Sequence, residues 1–213
     1  MTQIQSRDQE ILAALSRRVR LFSLAQIASF WWEGAPSSGP NARRRLAKLV
    51  DMGLLAGLRV LAQPLPPLTE PLARWRPGQG EPDLAAVAWQ LQKRWSTAPR
   101  ETPVYVATRR AAGLFGGRAR GELRRELQAA HDLGVAAVYL HFLGNLPALA
   151  EYWVGEDLLR QYRIGQKIPD AVLAESPRAR PTLVLEFGGA YTVRRLRQFH
   201  KHCAEDDTPY EIW

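Results

Sequence analysis

Residues 41–55 read Asn41-Ala42-Arg43-Arg44-Arg45-Leu46-Ala47-Lys48-Leu49-Val50-Asp51-Met52-Gly53-Leu54-Leu55. Leu46, Leu49 and Val50 recur at the spacing of one helical face, and Arg43, Arg44, Arg45 and Lys48 spread over the remainder. The pattern predicts a helix over Ala42 to Met52. Asn41 is suited to cap its start. Gly53 is suited to end it, because glycine readily takes the left-handed conformation found just past a helix C-terminus. An apolar stripe that docks the helix, with cations on its outer surface, is what a helix lying in a DNA major groove requires. A solvated basic helix on any small bundle has the same composition, so position must separate the two readings.

Upstream, Ile11, Leu12 and Leu15 mark a short amphipathic helix whose last turn carries Arg17 and Arg18, as a helix C-terminus favours. Ser23 is a candidate N-cap for a second helix from Leu24 to Phe30, and the breaker-rich loop Gly34 to Pro40 follows it. The basic helix is therefore third in a tri-helical run and opens after a turn. Downstream, Leu54 to Leu61 and a run ending near Trp75 flank Pro64 to Pro71. They predict a hairpin, or wing, with Arg59, Arg74 and Arg76 placed to touch backbone phosphates. The passage from Lys48 to Leu55 resembles the step from recognition helix to wing in many bacterial winged-helix proteins. Residues 1–78 are thus expected to form a winged helix-turn-helix domain that meets double-stranded DNA through Arg43, Arg44, Arg45, Lys48, Arg59 and Arg74.

The charge distribution agrees. The chain of 213 residues carries a formal net charge of +8. Residues 1–80 hold 11 Lys and Arg against 5 Asp and Glu, whereas the rest holds 18 against 16, which locates the polyanion contact in the front third. One cysteine, Cys203, excludes a disulfide framework and a Cys-rich zinc site. The chain has no apolar stretch of membrane-spanning length, and its first ten residues are polar, so a cytoplasmic setting away from membranes is expected.

Behind the linker-like Pro77 to Pro82, Asp83 is placed to cap a helix running to about Trp95. A β-rich run follows at Val104 to Thr108, and a long helix is expected from Gly121 to about Phe142. His131 falls near the apolar side of that helix, where a hydrogen-bonded core histidine is the simplest account. Two strand-like runs, 166–174 and 181–187, enclose the turn 175–180. Tyr191 to Ala204 returns to helical period, and residues 209–213 suit a final strand. Asp170 and Glu186 are isolated acids within these apolar strands, equidistant from residue 178 in the turn. In an antiparallel hairpin centred there they would face each other with Cβ atoms about 4.5–5.5 Å apart. Carboxylates that close repel, so one is protonated or a cation bridges them. Mg²⁺ held by Asp170 and Glu186 would be the arrangement with which many nucleases activate water.

Pro169-Asp170 followed by a hydrophobic strand ending at Glu186 resembles the PD-(D/E)XK nuclease-like core. The order of the N-terminal domain, then Ala130-His131-Asp132-Leu133, then Ile168-Pro169-Asp170-Ala171, then Leu183-Val184-Leu185-Glu186 resembles the replication-relaxation family of bacterial plasmids and mobile elements. The resemblance implies an α+β chain in which residues 79–213 form an α/β nuclease-like domain. It also implies a role in plasmid replication, mobilisation or transcription control. Within it, Glu156 would supply a third acid. The nuclease pattern places a lysine two residues after the second acid, where this chain has Gly188, so Lys167, or Arg194, Arg195 and Lys201 of the last helix, would have to serve instead. The expected function is therefore DNA binding that needs no cofactor, with a non-catalytic nuclease-like domain and a homodimer on paired half-sites. The alternative is a Mg²⁺-dependent endonuclease using Asp170 and Glu186.

Overall fold

The computed structural model describes residues 3–34, 37–117, 126–163 and 168–213. It is a mixed α+β chain that divides into two compact units, one of residues 1–62 and 99–137, the other of residues 63–98 and 138–213. The expected boundary after residue 78 is not where the structure divides. The chain leaves the first unit at residue 62, returns at 99, and leaves again within a long helix.

The first unit opens with α1 (Ser6–Arg17), β1 (Phe22–Ser23), α2 (Leu24–Trp31), α3 (Ser38–Asp51) and β2 (Leu55–Ala62). Ile11, Leu12 and Leu15 of α1 are completely buried, each contributing about 1.5–3 kcal/mol on leaving water. Ser23 caps α2 as expected, accepting from the Gln26 N–H at 3.1 Å, while the Gln26 side chain accepts from the Ser23 N–H at 2.9 Å. α3 starts a turn earlier than Asn41 suggests, since Pro40 is tolerated in the first turn of a helix. Gly53 ends it at φ +68°, as expected.

The chain then supplies β3 (Ala73–Trp75) and α4 (Leu84–Trp95) to the second unit and returns as β4 (Arg100–Ala107) and α5 (Arg109–Leu114). The hairpin expected across Pro64 to Pro71 does not form. β2 pairs instead with β4, antiparallel, from Leu55↔Ala107 to Ala62↔Arg100. β1 joins the other edge of β4, giving a three-stranded sheet in the order β1-β4-β2. Prolines at 64, 66, 67 and 71 lack the N–H that a tight ladder needs, whereas β4 offers Val104 and Val106 to the core.

α6 (Glu126–Asn145) belongs to the first unit as far as Ala137 and to the second from Val138. In the first unit Asp132 of α6 accepts from Arg20 at 3.1 Å, and the Leu133 carbonyl accepts from Gln26 at 2.8 Å. His131 is half-buried on α6, and residues 121–125 of the expected helix lie outside the described residues.

The second unit continues with α7 (Pro147–Ala150), β5 (Trp153–Gly155), α8 (Glu156–Leu159), β6 (Ala171–Leu173), β7 (Leu183–Glu186), α9 (Val193–Glu205) and β8 (Tyr210–Ile212). Its sheet has the order β3-β8-β7-β6-β5; β7 and β8 run parallel through the α9 crossover and the other pairs are antiparallel. Asp83 caps α4 as expected, accepting from the N–H groups of Ala85 and Ala86 at 3.1 and 3.0 Å. Leu84, Val87, Ala88 and Leu91 of α4 and Leu196, Phe199 and Cys203 of α9 bury against one face of the sheet, with Val172, Val184, Tyr210 and Ile212. On the other face Trp153 and Trp213 meet Tyr139 and Phe142 of α6 in edge-on ring contacts of 5.3–6.2 Å. Among the described residues no helix is long and apolar enough to cross a membrane.

Candidate functional site

α3 buries Ala42, Leu46 and Leu49 and leaves Arg43, Arg44 and Lys48 exposed. Arg45 does not join them. Positions 42, 45, 46 and 49 share one helical face, so the Arg45 side chain is drawn to the edge of the buried stripe. There it grips Asp8 of α1, whose side chain is completely buried, donating from Nε at 2.9 and 3.1 Å and again from Nη2. Nη2 also donates to the Gln3 carbonyl at 2.7 Å. Arg45 is therefore a structural cation and not the outward DNA contact expected: the buried face of α3 runs through Ala42, Leu46 and Leu49 and turns away from Val50, which is 36% exposed.

Arg59 lies on β2 with its side chain largely exposed, bonded to Glu101 on the neighbouring strand β4. Such an exposed pair is readily exchanged for a phosphate. Arg74 is not on this ribbon. It stands on β3 in the second unit, where strand pairing sets it opposite Glu211, and its Nε donates to that carboxylate at 3.1 Å.

In the second unit the β6–β7 ladder pairs Ala171↔Leu185, Val172↔Val184 and Leu173↔Leu183. Continuing it by one step sets Asp170 opposite Glu186, the register expected from their common midpoint. The Glu156 N–H donates to the Asp170 carbonyl at 2.9 Å, which brings the third acid into the same row. The carboxylates then turn to different donors. Asp170 Oδ2 accepts from the Phe187 N–H at 2.8 Å, Glu186 Oε1 accepts from the Tyr191 hydroxyl at 2.7 Å, and Glu156 accepts from Arg160 at 3.1 Å. Among the described residues no three His, Cys, Asp or Glu side chains converge where a metal ion would sit. Lys167 lies outside the described residues.

Gly188, where the nuclease pattern calls for lysine, is packed. A Cβ there would come within 2.6 Å of the completely buried Leu91, and its carbonyl accepts from Trp95 Nε1 at 2.9 Å. Arg195, considered as a substitute cation, lies over the Tyr191 ring with its guanidinium carbon 3.9 Å from the centroid.

Tyr191 gave no signal in the sequence, because nothing local marks a tyrosine five residues past a strand acid as its partner. Burial, followed by the charges of Glu186 and Asp170 and the hydrogen bond to Glu186, pushes its hydroxyl well above the ordinary tyrosine range, against the opposing pull of Arg195. Burial likewise raises Tyr210. Unfolded, both groups lose their protons near pH 10; folded, they keep them. The unfolded state then binds fewer protons, so stability falls as pH rises through 10. Melting temperatures measured from pH 9 to 11 are expected to decline, with a shallower decline in Tyr191→Phe. A Tyr191→Phe profile parallel to wild type would remove Tyr191 from the acid pair's environment.

The chain matches no family model, no curated protein and no solved structure.

Proposed function

We propose that the first unit is a winged helix-turn-helix that binds double-stranded DNA, with α3 as recognition helix and the β2–β4 ribbon as wing. The observation that carries this reading is the outward face of α3. Arg43, Arg44 and Lys48 are exposed on the third helix of a tri-helical run, and a two-stranded ribbon bearing the exposed Arg59 follows it. In the same reading the second unit is a PD-(D/E)XK-like platform. Its β5-β6-β7 antiparallel run followed by the parallel β7–α9–β8 crossover suits that core, and the packed Gly188 argues that it does not cut. The protein would act as a homodimer in the cytoplasm on plasmid or mobile-element DNA, in replication, mobilisation or transcription control, as the replication-relaxation resemblance implies. The test is duplex affinity measured over a range of salt concentrations. Log affinity is expected to fall linearly with log salt, by about 0.9 per phosphate neutralised. Undetectable duplex binding at low salt would refute the reading.

One observation favours a second reading, a Mg²⁺-dependent endonuclease: the row of Glu156, Asp170 and Glu186 across adjoining strands. With supercoiled, linear and single-stranded DNA and either Mg²⁺ or Mn²⁺, no product is expected. Nicking that Asp170→Ala abolishes would establish the second reading instead.

A further inference from the structure

Trp89 is the outlier among seven tryptophans. The other six are buried or half-buried, whereas Trp89, on the outer side of α4, is 63% exposed. The Lys93 ammonium sits one turn along, 5.1 Å from the ring centroid. An apolar ring left in water contributes nothing to the core, and a single exposed cation–π pair is a small return for it.

The neighbourhood of Trp89 is cationic. α4 and α9 lie side by side on the same face of the sheet and run in opposite directions: Glu81, just before α4, meets Arg197 at 3.4 Å, and Gln92 near its end donates to the carbonyl of Tyr191, just before α9. Trp89 is one turn from Gln92, on the outward side of α4 opposite the buried Leu84, Val87, Ala88 and Leu91. On α9, Leu196, Phe199 and Cys203 face the core, while Arg194, Arg197 and Lys201 share the opposite face on the side that reaches Glu81. The outward sides of these adjacent helices thus carry one exposed indole and the exposed cations Lys93, Arg194, Arg197 and Lys201. The acids beside them are Glu81, paired with Arg197, and Glu205, 3.6 Å from Lys201. Both pairs are solvent-exposed and exchange for phosphate at little cost. Asp83 is occupied in capping α4.

We propose that this surface binds single-stranded nucleic acid, with Trp89 stacking on a base and Arg194, Arg197, Lys201 and Lys93 holding the phosphates on either side. An exposed ring flanked by cations is the arrangement that non-specific single-strand binders use. A duplex does not suit it, because base faces are hidden in the stack. The site is separate from α3 and does not rest on the duplex reading.

The test titrates the full chain against fluorescent oligo-dT and oligo-U of about 20 nucleotides, and against a duplex of the same length, at low salt. At least one single strand is expected to bind, and the two arms identify the preferred sugar. Trp89→Ala is expected to weaken that binding by about fivefold or more, with Trp89→Phe retaining most of it. Arg194→Ala is expected to lower the log–log salt slope by about 0.7. Duplex affinity and melting temperature are expected to stay at wild-type values in all three, since these side chains are at the surface. The proposal is overturned by failure of both oligonucleotides to bind. It is equally overturned if Trp89→Ala leaves single-strand affinity within about twofold of wild type, if it weakens the duplex as much, or if loss of Arg43, Arg44 and Lys48 abolishes single-strand and duplex binding together. Single-strand binding without any duplex binding would refute the function proposed for α3 and leave this site standing.

Discussion

Replacing Arg45 with alanine is expected to lower the unfolding free energy by about 3 kcal/mol. The cost comes from Asp8, whose side chain has no exposure to water. Asp8 stands in the first turn of α1 and also accepts from the Gln5 N–H at 2.7 Å, closing the helix start. Removing the guanidinium leaves a buried carboxylate that keeps the Gln5 N–H but loses its counter-charge and the Arg45 donors. Arg45→Lys is expected to recover only part of the loss, because an ammonium cannot reproduce the fork that holds both carboxylate oxygens and the Gln3 carbonyl. Arg44, one residue earlier and exposed, serves as the control: Arg44→Ala should lie within about 0.5 kcal/mol of wild type. Urea unfolding reads the difference as a shifted midpoint at unchanged slope. The Asp8→Ala, Arg45→Ala double variant should be destabilised by less than the sum of the single variants, as coupled pairs are. An Arg45→Ala midpoint equal to that of wild type would show that the ion pair does not hold α1 to α3.

Simultaneous replacement of Arg43, Arg44 and Lys48 by alanine is expected to weaken duplex binding about 100-fold near physiological salt, or about 2.7 kcal/mol. The same variant should show a salt slope shallower by nearly three, at about 0.9 per lost phosphate contact. The fold should tolerate the change. The three side chains are exposed, alanine is the best helix former, and the buried stripe of Ala42, Leu46 and Leu49 is untouched. An unchanged melting temperature with lost affinity therefore separates this variant from Arg45→Ala, in which the melting temperature falls. Duplex affinity and salt slope both at wild-type values would remove α3 from the DNA.

The helix ends at Ser23, Gly53 and Asp83 were legible because their signals are local. Ser23 caps α2 with its own Gln26, Gly53 ends α3 in a left-handed turn, and Asp83 opens α4, each within a few residues of its partner. The β6–β7 hairpin was legible for the same reason: a short turn leaves few registers, and the midpoint of Asp170 and Glu186 selects the one found. The partner of β2 was not legible, because its signal is distant in the chain. β2 has a neighbouring β-compatible run available, yet it pairs with a strand that begins 38 residues after its own last residue, because β4 can fill the core and the proline-rich segment cannot donate.

Sequence alone determined the helix periods, the caps, the α+β character, the basic front third and the alignment of the two strand acids. All of these depend on residues close in the chain or on sums over it. Tertiary structure alone decided that β2 takes β4, that Arg74 belongs to the sheet of the second unit, that Gly188 has no room for a side chain, and that Arg45 serves Asp8 rather than the surface. Each of these turns on which distant group shares a buried space. Burial there makes an unpaired charge or a missing donor cost several kcal/mol, whereas at the surface the same residues are nearly interchangeable.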